Sequence, residues 1–222
     1  MLKKLLDILT RYQTAFVVLG YVIAGSFLLL HWTELEFTHK LAYFLYLGLC
    51  LHQLEEYCFP GGFLWGLNTM MGSNDPMRWP GDRLSAGLCD IIATCVGLYL
   101  TLFCLDSFML CCYAIFGLVE VLVHTIMGFV LRHRLRSNGK STIYVPGAAT
   151  CWLVFAPLGI GSAYYLLSTH MLSVPEAGRA MLAVVLFLGA VVILPTLLLQ
   201  DKNSVYTYAN LPGFYQTYLR EK

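Results

Sequence analysis

The chain has 222 residues, 58% hydrophobic and 12% charged, with a formal net charge of +1 and a mean hydropathy of +0.68. Soluble domains carry about a quarter charged residues, so the composition excludes an ordinary soluble domain and points to a membrane protein. The absence of GxxxxGK[ST] and GxGxxG patterns excludes the common nucleotide-binding loops, and no nucleic-acid partner is expected.

Six apolar segments, near 12–32, 41–59, 84–105, 108–131, 146–168 and 179–200, are long enough to cross a hydrocarbon core that needs about 20 helical residues or somewhat fewer. They are continuous rather than alternating, which favours helices over a barrel. The predicted fold is therefore all-α, a single polytopic bundle of about six transmembrane helices. The first segment follows a basic start, but its apolar stretch exceeds the ~7–15 residues of a signal-peptide core, so it is read as retained. The connection 60–83, "PGGFLWGLNTMMGSNDPMRWPGDR", is the longest internal one. It mixes Phe63, Trp65, Met70, Met71 and Trp79 with Gly and Pro, and reads either as a re-entrant lid or as a loop resting in the headgroups. The third and fourth segments, separated only by "LDSF" (105–108), read as a hairpin. Pro157 and Pro195 offer kinks in the last two segments. In the tail 201–222, Tyr206, Tyr208, Tyr215 and Tyr218 are expected to anchor at the interface.

Twelve of the 14 Lys and Arg fall in alternate segments outside the apolar runs, and only Lys40 and Arg179 lie opposite. By the positive-inside rule this predicts cytoplasmic termini and cytoplasmic 60–83 and 132–145 loops. The basic stretch "RHRLRSNGK" (132–140) reads as a topology determinant that also suits anionic headgroups.

The polar residues inside the apolar runs are the unusual feature. The stretch "GLCLHQLEEYCFPGG" (48–62) closes the second segment with His52, Glu55 and Glu56. Spacings of i+3 and i+4 put all three on one helix face, with His52 about 10 Å inside the end of its helix. The fourth segment carries Glu120 and His124 at i, i+4, with His124 about 12 Å inside its own end. Asp90 of the third segment lies about 9 Å deep on a stripe with Gly87, Thr94, Gly97 and Thr101. The fourth segment has a comparable stripe in Gly117, Glu120, His124 and Gly128. Such small-residue stripes suit close helix contact, so three polar faces are expected to meet. Each ionisable group at the bilayer centre costs about 2.5–3.5 kcal/mol, which makes their coincidence on facing stripes a site hypothesis. His31, His39, His133 and His170 fall at helix ends or in loops and receive no role. The eight cysteines form no CxxC pair and read as reduced packing residues. Cys58 and Cys89 lie nearest the cluster as reserve ligands.

His52-Gln53-Leu54-Glu55-Glu56, followed by "FPGGF", resembles the defining motif of the HXXEE family of small integral membrane proteins. Glu120 to His124 resembles that family's polar-x-x-x-His element, with Glu where Asn is the expected residue, and "YVPGAAT" (144–150) resembles its Pro-Gly-x-x-Thr segment. The correspondence spans roughly residues 40 to 170. The resemblance supports the site and implies no substrate.

Imidazole and carboxylate together suit zinc or non-haem iron, and a catalytic zinc site uses about three protein ligands plus a water. His52, His124, Glu56 and Asp90 form the expected ligand set. Glu55 is the expected general base, and Glu120 a second catalytic or ligating carboxylate. HxxEE matches neither HExxH nor HxxEH, so no zincin signature is met. The leading reading is an intramembrane metal-dependent enzyme acting on a membrane lipid or lipid-like substrate, by hydrolysis, from the cytoplasmic leaflet. Three rivals use the same residues: a proton- or ion-coupled transporter, a metal-free His/Glu isomerase, and a scaffold whose polar groups only join helices.

Overall fold

The computed structural model describes residues 2–219, which form helices and their connections with no strand among them. Arg220 and Lys222, counted above with the basic residues, lie outside the described residues. Eight helices follow in order: α1 Leu2–Arg11, α2 Gln13–Leu30, α3 Phe37–Tyr57, α4 Phe63–Met70, α5 Arg83–Phe103, α6 Ser107–Arg134, then α7 Ala148–Ser168 and α8 Val174–Leu199.

Five of these, α2, α5, α6, α7 and α8, are long and apolar enough to cross a membrane. The sixth predicted span, now α3, has 21 residues, about 32 Å of helix. Its polar residues at both ends make it less apolar than the others. It tolerates them because it is the enclosed helix, packed against α2, α5, α6 and α7, with more than half of its residues buried. The predicted first segment, 12–32, is preceded by a separate helix: α1 docks on α5 because Arg83 reaches both Asp7 and, at 2.8 Å, Thr10 Oγ1.

The expected α5–α6 hairpin is joined only near its turn. There Thr101 Oγ1 donates to the Tyr113 hydroxyl, which donates to the Gly97 carbonyl, both at 2.8 Å. Away from the turn α5 and α6 diverge, and α8 leans across the gap, its first half on α6 and its second half on α5. Both late prolines follow π-helical segments, Cys151–Phe155 before Pro157 and Gly189–Ile193 before Pro195. A proline supplies no N–H and crowds the carbonyl four residues back, and the wider π turn relieves that clash.

At the opposite end from that turn, the connection 58–82, the 135–147 loop, α1 and the C-terminal tail interlock. The connection is neither a simple lid nor a loose headgroup loop. Within it α4 packs on α6 with Leu64, Trp65 and Asn68 buried. Asn68 pins the return by donating to the carbonyls of Pro76 (3.0 Å) and Gly81 (2.8 Å) and accepting from the Gly81 N–H (3.0 Å). Two tail tyrosines expected at the interface insert instead: Tyr215 is fully buried against Trp65, ring centroids 4.8 Å apart, and the Tyr208 hydroxyl donates to Gln13 Oε1 at 2.5 Å.

Lys140 departs from the solvated role expected of its basic stretch. It is 1% exposed, its ammonium donates to the Tyr144 carbonyl at 2.6 Å, and the rings of Phe214, Tyr215 and Tyr218 surround it at 4.8, 5.9 and 5.4 Å. Burial pulls its pKa down from 10.5 to about 8. Between those two values the unfolded chain holds a proton that the folded chain has released, so this group makes stability rise with pH across that window. Lys140→Met should abolish that rise relative to wild type, which thermal unfolding in detergent from pH 7 to 10 measures.

Candidate metal centre

Two i, i+4 pairs face each other across the α3–α6 contact, His52 and Glu56 on α3 and Glu120 and His124 on α6. Each imidazole Nε2 faces both carboxylates. His52 Nε2 lies 3.4 Å from Glu56 Oε1 and 3.9 Å from Glu120 Oε2. His124 Nε2 lies 3.2 and 3.7 Å from the same two atoms. The two rings meet edge to face with centroids 4.7 Å apart, and Phe63 of α4 stacks on His124. His124 is fully buried, His52 and Glu56 nearly so, and Glu120 retains 18% side-chain exposure.

The tautomer of His52 follows from its other nitrogen. Nδ1 lies 3.2 Å from the Gly147 carbonyl and 2.9 Å from Thr150 Oγ1. The Thr150 hydroxyl hydrogen has its own acceptors, the Gly147 carbonyl and Glu55 Oε2. Nδ1 therefore carries the hydrogen, and Nε2 turns a lone pair toward two carboxylates. That arrangement needs a cation, or a second proton on the ring, at the point where the three groups meet. Neither nitrogen of His124 has a hydrogen-bond partner, although the ring is wholly buried, and its approach to Glu56 lacks hydrogen-bond alignment. A buried imidazole without a protein partner is a place where an ordered water or an ion can complete the set.

Cys151 brings a third kind of donor, on the Nδ1 side of His52 and away from the two carboxylates. Its Sγ lies 3.7 Å from His52 Nδ1. The ligand atoms of His52, His124 and Cys151 lie within 4.8 Å of one another, all three residues are buried, and the group can hold a metal ion. Gly147 makes the crowding possible. Its φ of +93° is in the left-handed region, and an added Cβ would strike both imidazole rings.

The remaining expected site residues are placed differently. Glu55, expected as general base, turns away from the imidazole pair. Its Oε1 accepts from the Tyr144 hydroxyl (2.9 Å) and Ala149 N–H (3.1 Å), and its Oε2 from Thr150 N–H and Oγ1 (both 2.8 Å). Four donors occupy its acceptor positions, so it caps the first turn of α7 and leaves no free lone pair for a base. Asp90, expected as a ligand, makes no ion-pair contact with either histidine. Its carboxylate accepts from Gln13 Nε2, and its carbonyl accepts from Gln53 Nε2 at 3.2 Å. It faces the same cavity from α5. Of the reserve cysteines, Cys89 lines that cavity, while Cys58 lies against Thr14 Oγ1 at 3.4 Å.

The cavity, about 280 Å³, has His52, Glu56 and Glu120 on one side and Asp90 on the other. Phe63 and Leu64 of α4 close one end, and the π segment of α8 forms a wall with Val191, Val192 and Ile193. Sequence reasoning missed Cys151, which directly follows the quoted "YVPGAAT" segment, and it missed Tyr144 and Thr150 within that segment. It also missed Gln13, whose only signal was a polar residue at the start of an apolar run.

An all-helical chain with apolar membrane-length helices and a buried His/Glu/Cys cluster belongs to the class of polytopic membrane proteins with an intramembrane polar centre. The model of the family described as "Protein of unknown function with HXXEE motif" matches residues 43–161, more than half of the chain, and the chain belongs to that family. Comparisons with curated proteins and with solved structures give no match.

Removing the Glu55 carboxylate leaves the Tyr144 hydroxyl and the Ala149 and Thr150 N–H groups without an acceptor, while the Thr150 hydroxyl keeps the Gly147 carbonyl. Glu55→Ala should therefore lower stability by about 1–3 kcal/mol or more, read as a drop in melting temperature, with Tyr144→Phe producing a smaller drop.

Proposed function

We propose that the chain is an intramembrane metal-dependent enzyme. His52, His124 and Glu56 hold a divalent metal, zinc or iron, and Glu120 serves as the catalytic carboxylate. The carrying observation is the convergence of two imidazole nitrogens on the same two carboxylates at 3.2–3.9 Å, with the lone pair of one ring aimed at them. Zinc–ligand bonds of ~2.0–2.1 Å in a tetrahedron place donor atoms about 3.3 Å apart, close to the shorter of these separations. A divalent cation also neutralises two carboxylates that are otherwise expensive to hold in a dry interior. Glu56 is the nearer and more buried of the two carboxylates and suits a ligand. Glu120 is farther and opens onto the cavity, where it can take a proton from, or return one to, a bound substrate. A bound metal supplies Lewis acidity and an activated water at such a centre. Asp90 faces it across the cavity, suited to orienting a polar substrate group. A lipid-like substrate and hydrolysis fit a cavity within the bilayer that mixes these acids with apolar walls.

The transporter reading finds less support. Beyond the polar cavity, toward the α5–α6 turn, the adjoining space is lined by apolar residues without a charged side chain, so a proton or ion relay has no continuation. The basic end of the bundle, with α1, the 58–82 connection, the 135–147 loop and the tail, is proposed to face the cytoplasm.

Elemental analysis of detergent-purified protein tests the centre. Wild type should carry stoichiometric zinc or iron, His124→Ala and Glu56→Gln should lose it, and Asp90→Asn should keep it. On metal-stripped protein Glu56→Gln should melt at or above the wild type, because it removes a charge held against its preference for water while keeping the side chain's volume. Metal-free wild type, prepared without chelator, would transfer the same residues to the proton-shuttle isomerase reading, and Glu56→Gln melting well below stripped wild type would favour the scaffold. For orientation, a cysteine introduced at the exposed Asn74 should resist impermeant labelling in intact cells and react after lysis.

A further inference from the structure

A second cavity of about 220 Å³ adjoins the first. The two share Leu49, Ala93, Phe116 and Phe187 as common walls. The first cavity ends in carboxylates and imidazole, whereas the second is apolar throughout. Its one hydroxyl, on Tyr113, is turned into hydrogen bonds with Gly97 and Thr101. It lies beside the Gly97–Tyr113–Thr101 junction of α5 and α6 and extends to Ala93 and Phe116, where the two helices begin to diverge, and α8 borders it with Ala183 and Val184.

Length and direction indicate the occupant. The lining on α5 runs from Ala93 to Leu100, so the path from Asp90 to Leu100 covers about 15 Å of helix rise. That is roughly half of the ~30 Å hydrocarbon core, the depth of one leaflet's chains. It runs away from the basic end, as a chain would if its polar head sat at the His/Glu cluster. Val96, 37% exposed on the membrane-facing side of α5, lies at its mouth. An apolar void held open between packed helices forfeits dispersion contacts on its walls, and such cavities stay dry and accept apolar ligands.

We propose that this cavity is a tail-binding subsite for a single acyl chain, whose polar head reaches the cavity bearing His52, Glu56, Glu120 and Asp90. The assignment of the head's chemistry rests on the proposed metal centre; occupancy of the tail subsite does not. The substrate class is thereby narrowed to single-chain amphiphiles with a cleavable head, such as fatty-acid esters or amides or lysolipids, with a free fatty acid as the product that the tail subsite also holds.

Photolabelling with palmitic acid carrying a mid-chain diazirine tests this on the full-length protein in detergent micelles. Label should map to peptides covering α5 and α6 between residues 93 and 116 and to α8 near 183–187. It should saturate and be displaced by excess palmitate. Ala183→Phe and Met109→Trp, which fill the cavity from different walls without touching the His/Glu cluster, should each reduce labelling by at least about fivefold, because a filled cavity has no room for the chain. Label that is non-saturable and spread over lipid-facing positions such as Leu122 and Leu153 would overturn the proposal and leave an annular lipid surface only. Wild-type displacement decides the matter even if both variants misfold. Metal content, measured on the same samples, separates the two readings. Labelling without metal sinks the metal centre and keeps the tail subsite, and metal without displaceable labelling does the reverse.

Discussion

Two carboxylates meeting two imidazoles in the interior of a membrane bundle is the constraint around which the rest of the molecule is arranged. An isolated ion in this environment costs several kcal/mol even after relaxation, and Glu56 and Glu120 lie within 4 Å of the same pair of nitrogens. Such a group survives only if its members are mutually compensated and shielded from lipid. That requirement places α3, the least apolar of the long helices, at the centre of the bundle. It also accounts for the small residues along the faces of α5 and α6. Most of these glycines make room for side chains rather than for another backbone: Gly97 admits the ring of Tyr46, and Gly117 the ring of Phe155.

The start of α7 forms a second layer that fixes the first. Glu55 gathers Tyr144, Ala149 and Thr150, and this holds Gly147 and Thr150 where they receive the Nδ1 hydrogen of His52. Adjacent glutamates thus perform opposite tasks. Glu56 meets the imidazoles, while Glu55 orients the segment that sets the tautomer of one of them. Partners of this kind, bonded to the far nitrogen of a ligating histidine, control both ring orientation and basicity. The π segment carrying Cys151 continues directly from this turn, in keeping with the frequent presence of π bulges at functional sites.

The divergence of α5 from α6 supplies the space that the cluster needs in order to act on anything. A tightly packed hairpin would have sealed the polar face of α6 against that of α5. Instead α8 crosses the opening, and its π segment and Pro195 bend it around the cavity. The cap formed by α4, pinned through Asn68, borders the cavity at the basic end.

Much of this was legible in the linear sequence. Low charge and continuous apolar runs determined a helical membrane protein, because hydrocarbon leaves no other way to satisfy the backbone of such segments. The i, i+4 spacings of His52 with Glu56 and of Glu120 with His124 determined which side chains share a face, and the count of residues to each helix end placed both histidines at similar depth. Spacing fixes angle and height on one helix and is silent about what faces it from another. The separation of Glu55 from Glu56, the removal of Asp90 to the far wall with Gln13, the arrival of Cys151 beside His52 and the opening between α5 and α6 were therefore decided only by the tertiary structure. Glu55 and Glu56 differ by one residue, about 100° around the axis, and that rotation points one at α7 and the other at α6.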